Sequence, residues 1–266
     1  MQKNPLLLQA GRSDFHIHTY ASDAKPDCTP ERIVQVAEGL RMKEIGFTDH
    51  LLACNADAKG CGKAPGDMRA FSDVCEQIRR MDSSVRTYVS WEVDYFDGGL
   101  YSFDPDRHLT MLDYVLLGHH YMSHMFQESP EKIARYLFDI HMAMAQEPYA
   151  HIIAHPFYVP PPPERHGAIL QHITDAQFVE VFSTMKEHGK AAEITAYQFS
   201  ADLRAVDQVC RLYTAARETG VKFTPDSDAH SLWEIGGSLR CSYVLASLGF
   251  SDKEFVDYRG LMVLKD

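Results

Sequence analysis

His16 and His18 stand two residues apart in Asp14-Phe15-His16-Ile17-His18, and on an extended segment residues i and i+2 project to the same side. Neutral imidazole nitrogen is the commonest protein ligand for zinc and similar divalent ions, so one metal can take both. Taken alone, such a pair fits equally well two buried histidines bonded to neighbouring carbonyls. Its meaning comes from further residues at the ends of other apolar runs. These are His50 in Thr48-Asp49-His50, Glu92 in Trp91-Glu92-Val93-Asp94, His119 and His120 after Gly118, and His155 before Pro156. Glu193 ends another run, and Asp228 and His230 follow Asp226-Ser227. The set mixes imidazole with carboxylate and lacks thiolate, which suits Zn²⁺, Mn²⁺ or Fe and disfavours a closed structural zinc site. With two or more such ions close together, a bridging water loses a proton near neutral pH and becomes a hydroxide nucleophile. The ions meanwhile polarise a phosphoryl oxygen and stabilise the leaving oxygen.

For these side chains to meet, separate strands must deliver them to one mouth. Short apolar runs near residues 13–18, 44–49, 86–93, 113–119, 151–155, 190–195 and 221–226 alternate with helix-like stretches, the pattern of βα units around a parallel sheet. Helices are expected near 66–81, 130–146, 174–188 and 201–219, and from Thr29 to about Met42, where Thr29-Pro30-Glu31 reads as an N-cap followed by proline at the first helical position. Gly189 and Gly220 follow two of these helices, where a left-handed C-terminal cap favours glycine. Each run but the sixth ends in a competent ligand, and the sixth offers Glu193. In barrels of parallel strands the catalytic residues lie at the C-terminal face, so this distribution is what a polynuclear site requires.

A chain of 266 residues with 45% hydrophobic content is expected to build one α/β domain spanning residues 1–266. The Pro160-Pro161-Pro162-Pro163 run reads as a stiff loop inside it, since strand and helix signals resume without a change of composition. A net charge of −11 argues against nucleic acid as partner, because phosphate backbones are bound through a surplus of Lys and Arg. Pro5-Leu6-Leu7-Leu8 is too short for a signal core or a membrane span, so no membrane partner is expected. The six cysteines form no C-x-x-C pair, which fits reduced thiols in a cytoplasm; Cys54 and Cys61 flank a loop and read as ordinary thiols. Sequence leaves the oligomeric state open.

In order and spacing, His16-Ile17-His18, Thr48-Asp49-His50, Glu92, His120, Ala154-His155-Pro156 and Asp228-Ala229-His230 resemble the PHP (polymerase and histidinol phosphatase) superfamily across nearly the whole chain. The resemblance implies a distorted (β/α)7 TIM-like barrel with two or three divalent metals (Zn, Mn or Fe). Carried over, it makes His16, His18, Glu92 and Asp228 the ligands of one metal. Glu92 bridges to a second metal completed by His120 and His155, and a third draws on His50, His230 and a residue of the loop after His18. Some members place a histidine where this chain has Ala24, so Asp23 in Ser22-Asp23 takes that part here. Asp228, Glu92 and His230 are the implied catalytic residues, with Asp228 orienting the attacking water. Glu193 resembles a family segment bordering the site, where it contacts substrate or supports the ligands.

What the resemblance implies is a metal-dependent hydrolase, a phosphoesterase acting on a small phosphorylated metabolite without a phosphoenzyme. Histidinol-phosphate phosphatases of the family usually carry Gly-Ser-Val-His where this chain has Gly118-His119-His120, and Gly-His-Phe/Leu-Asp where it has Ala154-His155-Pro156-Phe157, so the loops that choose the substrate differ. A phosphate ester calls for a cationic or donor group at the mouth, and Arg165, Lys25 and His119 are the candidates. Two other functions compete. One is amide or lactone hydrolysis on the same barrel; the other is a non-catalytic PHP module.

Overall fold

The structure, a computed structural model, describes residues 8–50, 68–96, 98–100, 103–120, 125, 127–158, 164–200 and 205–265. The Cys54–Cys61 loop, the Pro160–Pro163 run and most of the Pro5–Leu8 segment lie outside the described residues. The strands are β1 (Ser13–Ile17), β2 (Glu44–Asp49), β3 (Arg86–Phe96), β4 (Gly99–Leu100), β5 (Tyr114–Gly118), β6 (Ile152–Ile153), β7 (Ala191–Thr195) and β8 (Lys222–Asp226). The helices are α1 (Pro30–Gly39), α2 (Met68–Arg80), α3 (Pro105–His108), α4 (Pro130–Gln146), α5 (Glu164–Leu170), α6 (Asp175–Glu187), α7 (Ala196–Ser200), α8 (Val206–Thr219), α9 (Gly237–Ser247) and α10 (Tyr258–Val263).

Side-chain caps start three of the helices where the sequence placed them. Thr29 accepts from Arg32 N at the head of α1, Ser129 accepts from Lys132 N ahead of Pro130 in α4, and Thr174 forms a reciprocal box with Gln177 in α6. Gly189 (φ 65°) and Gly220 (φ 74°) are left-handed, as expected of residues that end α6 and α8. α1 stops short of Met42 because Leu40 caps it and Arg41 turns left-handed at φ 58°. α8 begins at Val206, later than its amphipathic pattern suggested, while β4, α5, α7, α9 and α10 were not expected.

Seven strands lie in one sheet in the order β1-β2-β3-β5-β6-β7-β8, all six neighbouring pairs parallel, with β4 folding back antiparallel on β3. The sheet curls until the end of β1 meets the segment after β8: His18 N–H donates to Ala229 O at 2.9 Å and Ala229 N–H to His16 O at 3.3 Å. The result is a nearly closed, distorted (β/α)7 barrel. Its strands are buried on both faces, which is why they read as continuous apolar runs. Inside, Phe15, Tyr114, Leu116, Ile152 and Ala191 form a separate apolar layer closed by Leu261 of α10.

One irregularity in this regular frame serves the site. The β1–β2 register shifts between Asp14 and Ile17, so Phe15 packs edge-on against Tyr114 inside the barrel at 5.7 Å, while His16 also turns inward, toward Glu92.

Candidate metal centre

Glu92, in the second half of β3, is 1% exposed and lies at the middle of the C-terminal mouth. Five imidazole Nε2 atoms from five different positions surround its carboxylate: His16 at 3.1 Å, His18 at 3.5 Å, His50 at 3.2 Å, His120 at 3.1 Å and His155 at 2.9 Å. Asp228 Oδ1 stands 3.4 Å from His16 Nε2 and 3.2 Å from His18 Nε2. On the other flank, Asp23 lies 3.1 Å from His230 Nε2 and 4.0 Å from His50 Nε2. Donor atoms of His16, His18, Glu92 and Asp228 group tightly enough to hold an ion, as do those of His18, Asp23, His50 and His230, and those of His50, Glu92 and His120. Every residue expected from the sequence to bind metal is thus brought into one continuous cluster.

Second bonds fix which nitrogen each ring presents. His16 Nδ1 faces Glu193 Oε1 at 2.7 Å and His120 Nδ1 faces Asp94 Oδ1 at 2.6 Å; a ring that donates from Nδ1 turns the Nε2 lone pair toward Glu92. Glu193 uses its other oxygen to accept the His155 backbone N–H at 2.6 Å, so one carboxylate sets a ring in one ligand group and a backbone in another. It is fully buried, and these two bonds occupy both of its oxygens. Asp49 accepts from Thr19 N–H, Thr19 Oγ1 and Ser22 Oγ at 2.6–2.7 Å, pinning the loop that carries Asp23. Asp94 and Asp49 were not singled out from sequence. Their signal was only adjacency, Asp94 two residues after Glu92 and Asp49 just before His50.

Close approach and strain mark the same region. A Cβ added at Gly118 would stand 2.6 Å from Glu92 Oε1 and 2.7 Å from His120 Cε1, so only glycine lets the carboxylate and imidazole sit there. Among the described residues, four other than glycine have positive φ, and three belong to the mouth: His155 (24°), Phe157 (59°) and Asp228 (54°). Phe157 is held there by imidazoles behind it, its N–H donating to His141 Nε2 at 2.9 Å and its carbonyl facing His166 Nε2 at 3.3 Å. Such strain persists only where surrounding bonds over-determine it.

The donor set fits a cation. His16 and His120 each set Nδ1 against a carboxylate, so a proton on their Nε2 atoms as well would bury two positive charges, whereas left neutral these rings aim Nε2 lone pairs at Glu92 that need an acceptor. Electrostatics agree. Burial alone would depress His16, but the carboxylates of Glu193, Glu92 and Asp228 hold it well above the usual histidine range. Its neighbour His18 goes the other way, lowered to about 4 by burial and then by His230, so the pair accommodates one positive charge and resists a second. Burial would raise Glu92 and Asp228, yet the surrounding imidazoles keep both well below ordinary carboxylates.

The residues expected to touch substrate are scattered. His119 turns away from Glu92, its Nδ1 against Tyr95 O at 2.8 Å and its Nε2 against Tyr136 Oη at 3.1 Å, and so caps the strand. Arg165 in α5 donates to the Glu128 carbonyl at 2.6 Å. Lys25 is exposed on the rim, with its backbone N–H bonded to His230 O at 2.9 Å. The cluster's most solvent-facing members are Asp228 and His230, whose side chains are 21% and 30% exposed.

No family model and no curated protein matches this chain in sequence. Solved structures do match in fold. The histidinol phosphate phosphatase of Lactococcus lactis, complexed with zinc, L-histidinol and phosphate, superposes with a TM-score of 0.61 at 14% identity, over 92% of this chain and 98% of its own. A metal-dependent tyrosine phosphatase of the pair from Bacillus subtilis and Streptococcus pneumoniae gives 0.50 at 14% identity, over 91% and 89%. A chain of archaeal ribonuclease P with mature tRNA gives 0.54 at 10% identity, over 95% and 87%. At 10–14% identity the likeness is one of fold: this chain shares its barrel with the two phosphatases and with the ribonuclease P component.

Proposed function

We propose that this chain is a metal-dependent phosphoesterase that hydrolyses a small phosphate ester, in the manner of the histidinol-phosphate phosphatases. The observation that carries the reading is Glu92 ringed by five imidazole Nε2 atoms, two of those rings backed by carboxylates. His16, His18, Glu92 and Asp228 would hold one ion, Glu92, His120 and His155 a second, and Asp23, His50 and His230 a third. Zn, Mn or Fe suit these donors, and when bound they supply an activated water and Lewis acidity at the phosphoryl oxygens.

The chain's own residues do the rest. Glu92 fixes the spacing of the first two sites from a rigid strand. Asp228, part-exposed and strained, faces the side from which water and substrate arrive, and it orients the attacking water and takes its proton. His230 has its Nδ1 set against the Asp228 carbonyl at 3.0 Å and steadies the transferred phosphoryl group from the Asp23 side. No side chain is required as a covalent acceptor. A net charge of −11 supports a small ester over nucleic acid, and four described cysteines that are all unpaired support a reducing, cytoplasmic setting for a single-domain enzyme. No described helix is long and apolar enough to cross a membrane.

The test is phosphate release by protein loaded separately with Zn²⁺, Mn²⁺ and Fe²⁺ on a panel of phosphomonoesters and diesters. Wild type should turn over at least one monoester, and His120→Ala should lose that turnover with its circular dichroism unchanged. If no loaded form releases phosphate from any ester, the reading fails.

A further inference from the structure

A cleft of about 420 Å³ opens beside Asp228, in the range that takes a small-molecule ligand. Tyr197 and Phe199 of α7 line it together with Trp233 and with Cys241 and Val244 of α9. Asp228 belongs both to this lining and to the metal cluster. A second path joins the two: the Tyr158 ring lies 5.5 Å from that of His155, and Tyr158 Oη donates to Tyr197 Oη at 3.2 Å. An aromatic surface therefore runs from the cluster into the cleft.

That surface is unusual in being wet. Among the described residues five large hydrophobic side chains are exposed, and two of the five, Trp233 at 69% and Tyr197 at 44%, line this one cleft. Flat apolar faces in water beside a reactive cluster mark a recognition surface. The polar groups of the lining bond within the protein: Glu234 Oε2 accepts from His230 N–H at 2.9 Å and Ser231 Oγ at 2.6 Å, and Arg240 Nη2 reaches the Glu234 carbonyl at 3.4 Å. The Glu234 bonds also tie the Trp233 loop to His230, so the indole is held in fixed relation to the cluster.

We propose that this cleft receives the leaving group of the substrate and selects a flat, aromatic or heteroaromatic one, with Trp233 and Tyr197 as the specificity-determining residues. The inference rests on the phosphoesterase reading for where the phosphate lies. Its chemistry is stacking and apolar burial, and the bond broken is the phosphoryl P–O bond, with water supplying the oxygen and both protons of the products.

The experiment compares 2-phenylethyl phosphate with n-butyl phosphate, alkyl esters of similar leaving oxygen that differ in the ring. Wild type should favour the ring ester in kcat/KM by about tenfold, mainly through KM. Trp233→Ala and Tyr197→Ala should each bring that ratio close to one, and Trp233→Phe should keep most of it. A wild-type ratio near one, or a ratio unmoved by Trp233→Ala, overturns the proposal. Binding is read independently of turnover, because Trp91, the other of the chain's two tryptophans, is buried at 1% exposure and Trp233 alone should respond to a ligand in the cleft. The ring ester should shift Trp233 emission to the blue while n-butyl phosphate does not, with Trp233→Phe as the blank. A shift without hydrolysis would sink the phosphoesterase reading and keep the aromatic cleft. No shift with the ring ester sinks the cleft whatever the activity.

Discussion

Glu193 is where a single atom's worth of chemistry separates a ligand from its support. Its Oε1 lies 2.7 Å from His16 Nδ1 and its Oε2 accepts the His155 N–H at 2.6 Å. Glu193→Gln keeps the shape but points an NH₂ at one of those donors, which frees His16 to take the wrong tautomer or releases the strained His155 backbone. Loss of such a partner typically weakens metal affinity by about 10–100-fold. Competition against a chromophoric chelator should show that loss at unchanged circular dichroism; unaltered affinity would mean the contact is packing alone. The type of Glu193 and its place on the run that forms β7 were legible in the sequence. Which partner it takes was not, since that depends on strands 177 and 38 residues distant in sequence. Gly118-His119-His120 makes the same point. The two histidines are adjacent and alike, yet His120 faces Glu92 while the Tyr95 carbonyl and the Tyr136 hydroxyl draw His119 aside. No periodicity distinguishes them, because the strand ends at Gly118 and tertiary partners decide each direction afterwards.

Among the elements, β6 is the shortest strand of the parallel sheet, and His151 just before it compensates. Its N–H donates to Val115 O at 2.9 Å, its carbonyl accepts from Ala191 N at 3.0 Å, and its Nδ1 accepts from Val115 N–H at 3.2 Å. That last bond needs a neutral ring. Burial, then the charges of Lys265 and Lys190, lower His151 from 6.5 to about 4. Above about pH 6.5 the ring is neutral folded or unfolded and contributes no pH dependence. Between about 6.5 and 4 the unfolded chain binds a proton that the folded chain refuses, so stability falls as pH falls through that window. His151→Gln, whose amide oxygen accepts the same Val115 N–H, should flatten the decline of the unfolding midpoint between about pH 7 and pH 4.5, measured with chelator present throughout. His141, lowered to about 3 mainly by burial, acts with the same sign, so the slope should shrink and not vanish. An identical slope in the variant would remove His151 from the account. The parallel strands were legible because burial on both faces writes each as an apolar run. β4 and α10 were not, being two and six residues long and dependent on the surfaces they cover. The shift in β1 that turns His16 inward beside Phe15 was equally hidden, since a strict alternation would have put them on opposite faces.

At the scale of the whole barrel, the cluster is also a clasp. Donors come from β1, β3 and the segments after β1, β2, β5, β6 and β8, and Glu193 ties in β7. The seam between β8 and β1 carries no long ladder. Besides the two His18/Ala229 and Ala229/His16 backbone bonds, it is stitched by side chains: Asp226 accepts from Phe15 N–H at 2.5 Å and Asp14 from Ser227 N–H at 3.0 Å. Ions shared by strands on both sides of that seam must therefore stabilise closure as well as chemistry. A ligand at about 100 to 1,000 times its Kd adds about 3–4 kcal/mol to the folded state. For a chain of this size each kcal/mol moves the unfolding midpoint by about 2–4 °C. Stripping the metals with chelator should thus lower the midpoint by about 5–15 °C, and restoring Mn²⁺ or Zn²⁺ should recover it. Glu92→Gln should begin at the lower value and gain less from added metal, because the carboxylate common to two of the donor groups has lost its charge. Should metal analysis confirm that the ions are gone while the midpoint stays where it was, the barrel closes without them, and the crowding of five imidazoles around Glu92 would have to be stable on its own hydrogen bonds.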